Sequence, residues 1–101
     1  MAKALGLLEV YGLSTAFYAM DAACKAANVT VEALDKNRPV SNEPLPAPLL
    51  IMIKFRGSIE DVRVAVEVGE KAANELTGCL NARVIARPDE RLEEFIRISC
   101  L

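Results

Sequence analysis

The sequence contains no histidine and no tryptophan. Without histidine, it lacks the commonest general base and the commonest metal ligand. Its three cysteines, Cys24, Cys79 and Cys100, stand 55 and 21 positions apart. Those spacings make neither a compact zinc site nor a CxxC redox pair, so the cysteines read as reduced thiols in a cytosolic chain. The formal net charge is −2, and no basic stripe is present to neutralise phosphates, which excludes a nucleic-acid surface. No apolar run approaches the roughly 18 residues of a membrane-spanning helix. The opening MAKALGLLEV lacks the long apolar stretch and cleavage site of a signal peptide.

Catalytic signatures are missing too. There is no GxSxG, no GxxxxGK[ST] and no HExxH. GLLEVYG does not set its glycines in a strand-to-helix nest, so it is not a phosphate loop. Glu9, the one acidic residue of an apolar strand, reads as an outward-facing or paired carboxylate. A cysteine nucleophile would have no base to activate it. No catalytic residue, no metal ligand and no cofactor is expected.

What the sequence does have is apolar surface. Of its 101 residues, 52% are hydrophobic. That is high for one small domain spanning 1–101, and it favours an oligomer that hides part of this surface.

Periodicity then orders the chain. Residues 3–11 read as a strand, broken at Gly12. Ser14 or Thr15 is positioned to cap a helix from about Thr15 to Ala27. Small residues Ala22, Ala23, Ala26 and Ala27 give that helix a face a sheet can approach closely. Asn28 reads as a left-handed helix stop. Val29 and Val31 then alternate with Thr30 and Glu32 as a half-buried strand running to about Leu34, with Asp35, Lys36 and Asn37 as turn residues. LLIMIKF, residues 49–55, reads as a central strand buried on both faces. After Gly57, Ser58 and Asp61 form a capping box with aspartate in place of glutamate. The helix they open carries Ile59, Val62, Val66, Gly69, Ala73 and Leu76 on one stripe. Gly78 ends it, Ala82 to Ala86 forms a fourth strand, and Asp89 caps a short helix from about Arg91 to Ile96. The order is βαββαβ plus a C-terminal helix. This is an α+β, ferredoxin-like plan, with an antiparallel sheet and both long helices on one face.

One stretch resists this reading. NRPVSNEPLPAP, residues 37–48, holds four of the five prolines. It can be neither a central strand nor a helix, and at about twelve residues it is long enough to suspect a functional loop. Lys25 also stands out. It lies in the last turn of the first helix, where a cation complements the helix dipole, and it reads either as that complement or as an interface lysine.

The segment ALGLLEVYGLSTAFYAMDAACKAANV resembles the opening of the bacterial microcompartment shell proteins, whose pattern runs A-L-G-x-I/L-E and then G-x-x-x-A-x-x-A-x-D-A-x-x-K-A-A-x-V. KFRGSIEDVRVAVEVG is similar to the family's strand–RGD–helix segment, and VIARP to its V-I-x-R-P. The match runs through nearly the whole chain except 37–48. The resemblance implies a cyclic hexamer that tiles edge to edge with itself and with other shell proteins around encapsulated enzymes, in a shell in the bacterial cytoplasm. It implies an interface between hexamers at Lys25, Asn28, Arg87 and Pro88, with Lys25 packing antiparallel to its mate and Arg87 entering the neighbour's edge pocket. It also implies that Lys36, Asn37, Arg38, Pro39, Val40, Ser41, Asn42 and Glu43 line the six-fold axis. The family's K-x-G-S-G pore turn is replaced here by KNRPVSNEPLPAP. Lys36 matches, but no glycine follows. Stiff prolines, and rings of like charge made by six copies of Arg38 and six of Glu43, predict loops displaced from the axis, partly disordered or arranged with broken symmetry. Long variants of this loop resemble shell proteins of glycyl-radical microcompartments, such as those for choline utilisation. Ala86 stands where the family commonly has proline. A second reading is a ferredoxin-like signalling module that senses a small molecule through residues 37–48.

Overall fold

The computed structural model describes residues 3–38 and 49–100. The expectations placed on 39–48, Pro39 to Glu43 among them, lie outside the described residues. Four strands and two long helices follow in the expected order: β1 (Ala4–Tyr11), α1 (Leu13–Ala26), β2 (Thr30–Asn37), β3 (Leu50–Gly57), α2 (Ile59–Asn74) and β4 (Cys79–Ile85). A 3₁₀ turn, Glu90–Leu92, and a short α3, Glu93–Ile96, complete the chain. The sheet order is β2-β3-β1-β4 and each pairing is antiparallel, as the ferredoxin-like plan requires.

Alternation in β1 and β3 makes the core. Leu8 and Val10 from β1 and Ile51, Ile53 and Phe55 from β3 are fully buried beneath Ala16, Ala19 and Ala23 of α1 and Val62, Ala65 and Ala73 of α2. Ala65 and Ala72 join the stripe foreseen on α2, whereas Leu76 does not, being 54% exposed. The helix closes sooner because Gly78, at φ 112°, turns its N–H onto the Ala73 carbonyl at 2.8 Å. A left-handed turn of this kind favours glycine.

Several local expectations fail for identifiable reasons. Gly12, not Ser14 or Thr15, is the N-cap of α1, and no side chain caps it. Thr15 is buried instead. Its hydroxyl lies 2.6 Å from that of Thr77, which bonds the Tyr11 carbonyl. Because Thr77 donates its one proton to Tyr11, Thr15 donates to Thr77. Asn28 is not left-handed, as no non-glycine among the described residues has positive φ. The chain leaves α1 through an extended Ala27, and Asp61 accepts the Asn28 N–H at 3.2 Å, drawing the backbone directly into β2. Asp35, Lys36 and Asn37 are strand rather than turn, because β2 pairs with β3 as far as Asn37 opposite Leu50. Turn propensity is outweighed there by the ladder and by an ion pair from Asp35 to Lys54. A bulge at Glu32 keeps both Val31 and Leu34 against the helices. β4 begins three residues earlier than expected, with a register shift where Leu80 is left unpaired. Asp89 caps the 3₁₀ turn as foreseen, accepting the Arg91 N–H at 2.9 Å.

The strand LLIMIKF is buried on both faces, but not by a second apolar layer. Residues 90–100 cross the helix-free face. There, Lys54, only 6% exposed, donates to the Phe95 and Ile98 carbonyls at 3.0 and 2.9 Å. Arg56, 8% exposed, grips both carboxylate oxygens of Glu93 and the Lys3 carbonyl. The Cys100 N–H reaches the Leu34 carbonyl at 2.9 Å.

Candidate interface residues at the two ends of the sheet

The register sorts the residues singled out above into two groups. Ala4 pairs with Gly57, Leu5 with Ile85, and Thr30 with Arg56. One end of the sheet therefore gathers the start of β1 and β2 and the finish of β3 and β4. The last turn of α1, with Lys25, and Asn28 belong to this end. So do Arg87 and Pro88, just past β4. At the other end Tyr11 pairs with Leu50 and Asn37 with Leu50, which places Lys36, Asn37 and Arg38 there. Strands of eight residues separate the two ends by about 25 Å.

At the first end Lys25 is 76% exposed and pairs with Asp21 one helical turn earlier at 2.8 Å. The Asp21 carboxylate raises its ammonium above the ordinary lysine value, so it is fully charged near neutral pH. Helix-end cation and available interface residue are both compatible with this position. Arg87 is exposed while Pro88 is buried, so the arginine projects from a fixed base. Among the described residues Arg87 has no ion-pair partner.

Between the α1–β2 and β3–α2 turns lies a cavity of about 520 Å³, lined by Lys3, Asn28, Thr30, Arg56, Ser58 and Asp61. Its walls meet at Gly57, where a Cβ would come within 3.1 Å of the Asn28 carbonyl. Any larger residue would push the two turns apart. Asp61 ties the walls together. Its backbone N–H donates to the Ser58 hydroxyl at 3.1 Å, that hydroxyl donates to its carboxylate at 2.9 Å, and the other carboxylate oxygen holds Asn28. The cavity thus presents the Asp61 carboxylate and nearby carbonyl oxygens, acceptors suited to a guanidinium, beside two cations, Lys3 and an Arg56 that is paired with Glu93. The sequence showed Asp61 only as a helix cap. Its second role depends on the Asn28 turn folding against α2, and no local pattern encodes that.

Neither Cys24 nor Cys79 is activated. Cys79 is pushed up to about 11, mainly by burial and then by the nearby Glu70 carboxylate. Burial and Asp21 raise Cys24 also. Asn81 donates to Glu9 at 3.4 Å, so Glu9 is a partly paired carboxylate. Among the described residues, no cluster of three Cys, Asp or Glu side chains is placed to hold a metal. No helix among them is long and apolar enough to cross a membrane.

Residues 4–88 match the BMC domain family. The chain is 34% identical to the bacterial microcompartment shell protein PduK of Salmonella typhimurium over 87% of its own length and 50% of that protein's. It is 33% identical to the carboxysome shell protein CcmK2 of Synechocystis sp. over 97% of its length and 88% of that protein's. With the microcompartment shell protein PduA of Citrobacter freundii it shares 32% identity over 93% and 91% of the two lengths. The chain spans about half the length of the PduK relatives it matches. A crystal structure of a microcompartment protein from Desulfitobacterium hafniense shares the fold, with a TM-score of 0.72 at 21% identity over 96% of this chain and 48% of that one. These relatives do not favour the sensing-module reading. An ordered set of sequence motifs, an antiparallel sheet of order β2-β3-β1-β4 and a family match over residues 4–88 agree: the chain belongs to the BMC domain family of microcompartment shell proteins.

Proposed function

We propose that the protein is a structural subunit, not an enzyme, that forms hexamers and tiles with itself and with other shell proteins into the shell of a microcompartment in the bacterial cytoplasm. The observation that carries this reading is the sorting of its special residues to opposite ends of one sheet. Lys25, Asn28, Arg87 and Pro88 share one end, and Lys36, Asn37 and Arg38 share the other. A subunit of a flat ring needs this arrangement, with one end toward the axis and the other at the perimeter.

At the perimeter, Arg87 of one hexamer enters the Asn28–Asp61 cavity of the next, and Lys25 lies along its mate with its apolar stem covered. At the axis, Lys36, Asn37 and Arg38 border a passage for metabolites. The long proline-rich replacement at 37–48 supports a compartment of the glycyl-radical type, and the enzymes enclosed there are partners of the assembled shell. Electron microscopy of purified protein tests the perimeter reading. The parent forms sheets or tubes, and Arg87→Ala forms hexamers that no longer associate laterally. Sheets from Arg87→Ala at matched concentration would refute it.

A further inference from the structure

We propose that the carboxyl-terminal strap, Glu90–Cys100, is a separately opening unit, and that its release unbalances the edge cavity and disfavours docking of a neighbouring hexamer. This rests on the reading of that cavity as the seat of a neighbour's Arg87.

The strap is held differently from the rest of the fold. Of its described residues, 90–100, Ile96 alone is buried. Leu92, Phe95 and Ile98 face outward, Phe95 being 64% exposed. Its backbone bonds the backbone of the sheet at one place, the Cys100 N–H on the Leu34 carbonyl, beside a Ser99 hydroxyl that donates to the same oxygen and accepts the Leu34 N–H at 3.4 Å. The remaining fixings are the two cations from β3, Lys54 on the Phe95 and Ile98 carbonyls and Arg56 on Glu93. Segments with few buried apolar groups and exposed hydrogen bonds open well below the global unfolding energy.

Arg56 joins the strap to the cavity. It lines the cavity wall and bonds the Lys3 carbonyl at the cavity's rim, while Glu93 takes the other side of its guanidinium. With the strap closed, Arg56 and Glu93 cancel, and Lys3 balances Asp61. With the strap open, Arg56 remains in the wall without its carboxylate. Its Nε, already buried and unbonded, offers no compensation. The cavity then carries an excess positive charge and repels an incoming guanidinium. A buried cation that has lost its partner is also costly in itself, so docking and strap closure reinforce one another.

Hydrogen exchange and lateral assembly, read on the same samples, test this. In the parent hexamer the Arg97, Ile98 and Cys100 amides exchange well before those of Leu8 and Ile53. Glu93→Gln keeps the side chain's shape but removes its charge. It speeds the strap amides about tenfold while leaving the core amides unchanged, keeps the hexamer intact by native mass, and reduces sheet formation. Ile96→Ala, which leaves every charge in place, opens the strap by another route and has the same two effects. Strap amides that exchange only together with the core overturn the separate unit. A strap that opens in both variants while sheets form as before overturns the coupling. Arg87→Ala is measured alongside: if it too leaves assembly unchanged, the edge reading fails and takes the coupling with it. If it alone abolishes sheets, the coupling fails and the edge reading stands.

Discussion

Removing the Asp61 carboxylate tests how the edge is built. In Asp61→Ala three things are lost at once. The reciprocal cap with Ser58 loses its carboxylate half, a part of capping terms worth about 1 kcal/mol. The N–H of Asn28 loses its acceptor, a further 1 kcal/mol or so. The first turn of α2 loses one of its two acidic residues, Glu60 and Asp61, each worth about 0.5 kcal/mol against the helix dipole. Together these give about 2 kcal/mol, which for a domain of this size lowers the melting temperature by about 10 °C. Asp61→Asn separates structure from charge. Its amide oxygen still accepts from Asn28, so most of the stability returns, but the cavity no longer attracts a guanidinium. Scanning calorimetry and sheet pelleting at matched hexamer concentration read the two effects. The expected result is a cooler-melting Asp61→Ala and a near-parental Asp61→Asn, with both assembling poorly. An Asp61→Asn variant that assembles like the parent would show that this charge takes no part in the edge.

Lys25→Ala should give soluble hexamers with the parent's melting temperature and no sheets, because the side chain is exposed and its ion pair is with Asp21 on the same helix; a melting point lowered as by a core deletion would contradict that placement. Phe55→Ala, at a site with no exposure, should cost about 4 kcal/mol and yield little soluble hexamer, as measured by expression and denaturant titration. A thiol reagent near neutral pH should modify Cys24 and Cys100, which are exposed, before Cys79, held near 11 by burial; peptide mapping over time checks the order. Glu93 is held below the ordinary carboxylate value by its hydrogen bonds to Arg56, with Arg97 assisting. Its contribution is therefore present above about pH 4.5 and is lost as pH falls through its lowered value, so strap amides should lose protection in acid before the core does.

The sequence declared its architecture wherever one physical signal dominated. β1, β3 and α2 follow from unbroken apolar periodicity, and the Ser58–Asp61 cap from a local pairing of side chains. Signals that depend on partners far along the chain misled. Asp35 to Asn37 have turn chemistry, but their strand conformation is set by pairing with residues 50–52. Thr15 looks like a cap, yet its hydroxyl serves Thr77, 62 positions away. LLIMIKF hid its meaning most thoroughly. It reads as a strand buried on both faces, yet its lysine and the following Arg56 are the clamp that holds residues 90–100. Of the residues proposed for the edge, Lys25 and Arg87 come from the family pattern, whereas Asp61 does not, since its hold on Asn28 exists only once α1 and α2 lie side by side.

The most direct test is a cryo-electron microscopy map of the assembled sheet. The account predicts Lys25, Asn28 and Arg87 at the contact between hexamers, with Arg87 within hydrogen-bond distance of the neighbour's Asn28–Asp61 cavity, and Lys36 to Arg38 facing the six-fold axis. A map with Arg87 turned toward the axis, or with the cavity end of the sheet buried between subunits of one ring, would contradict it.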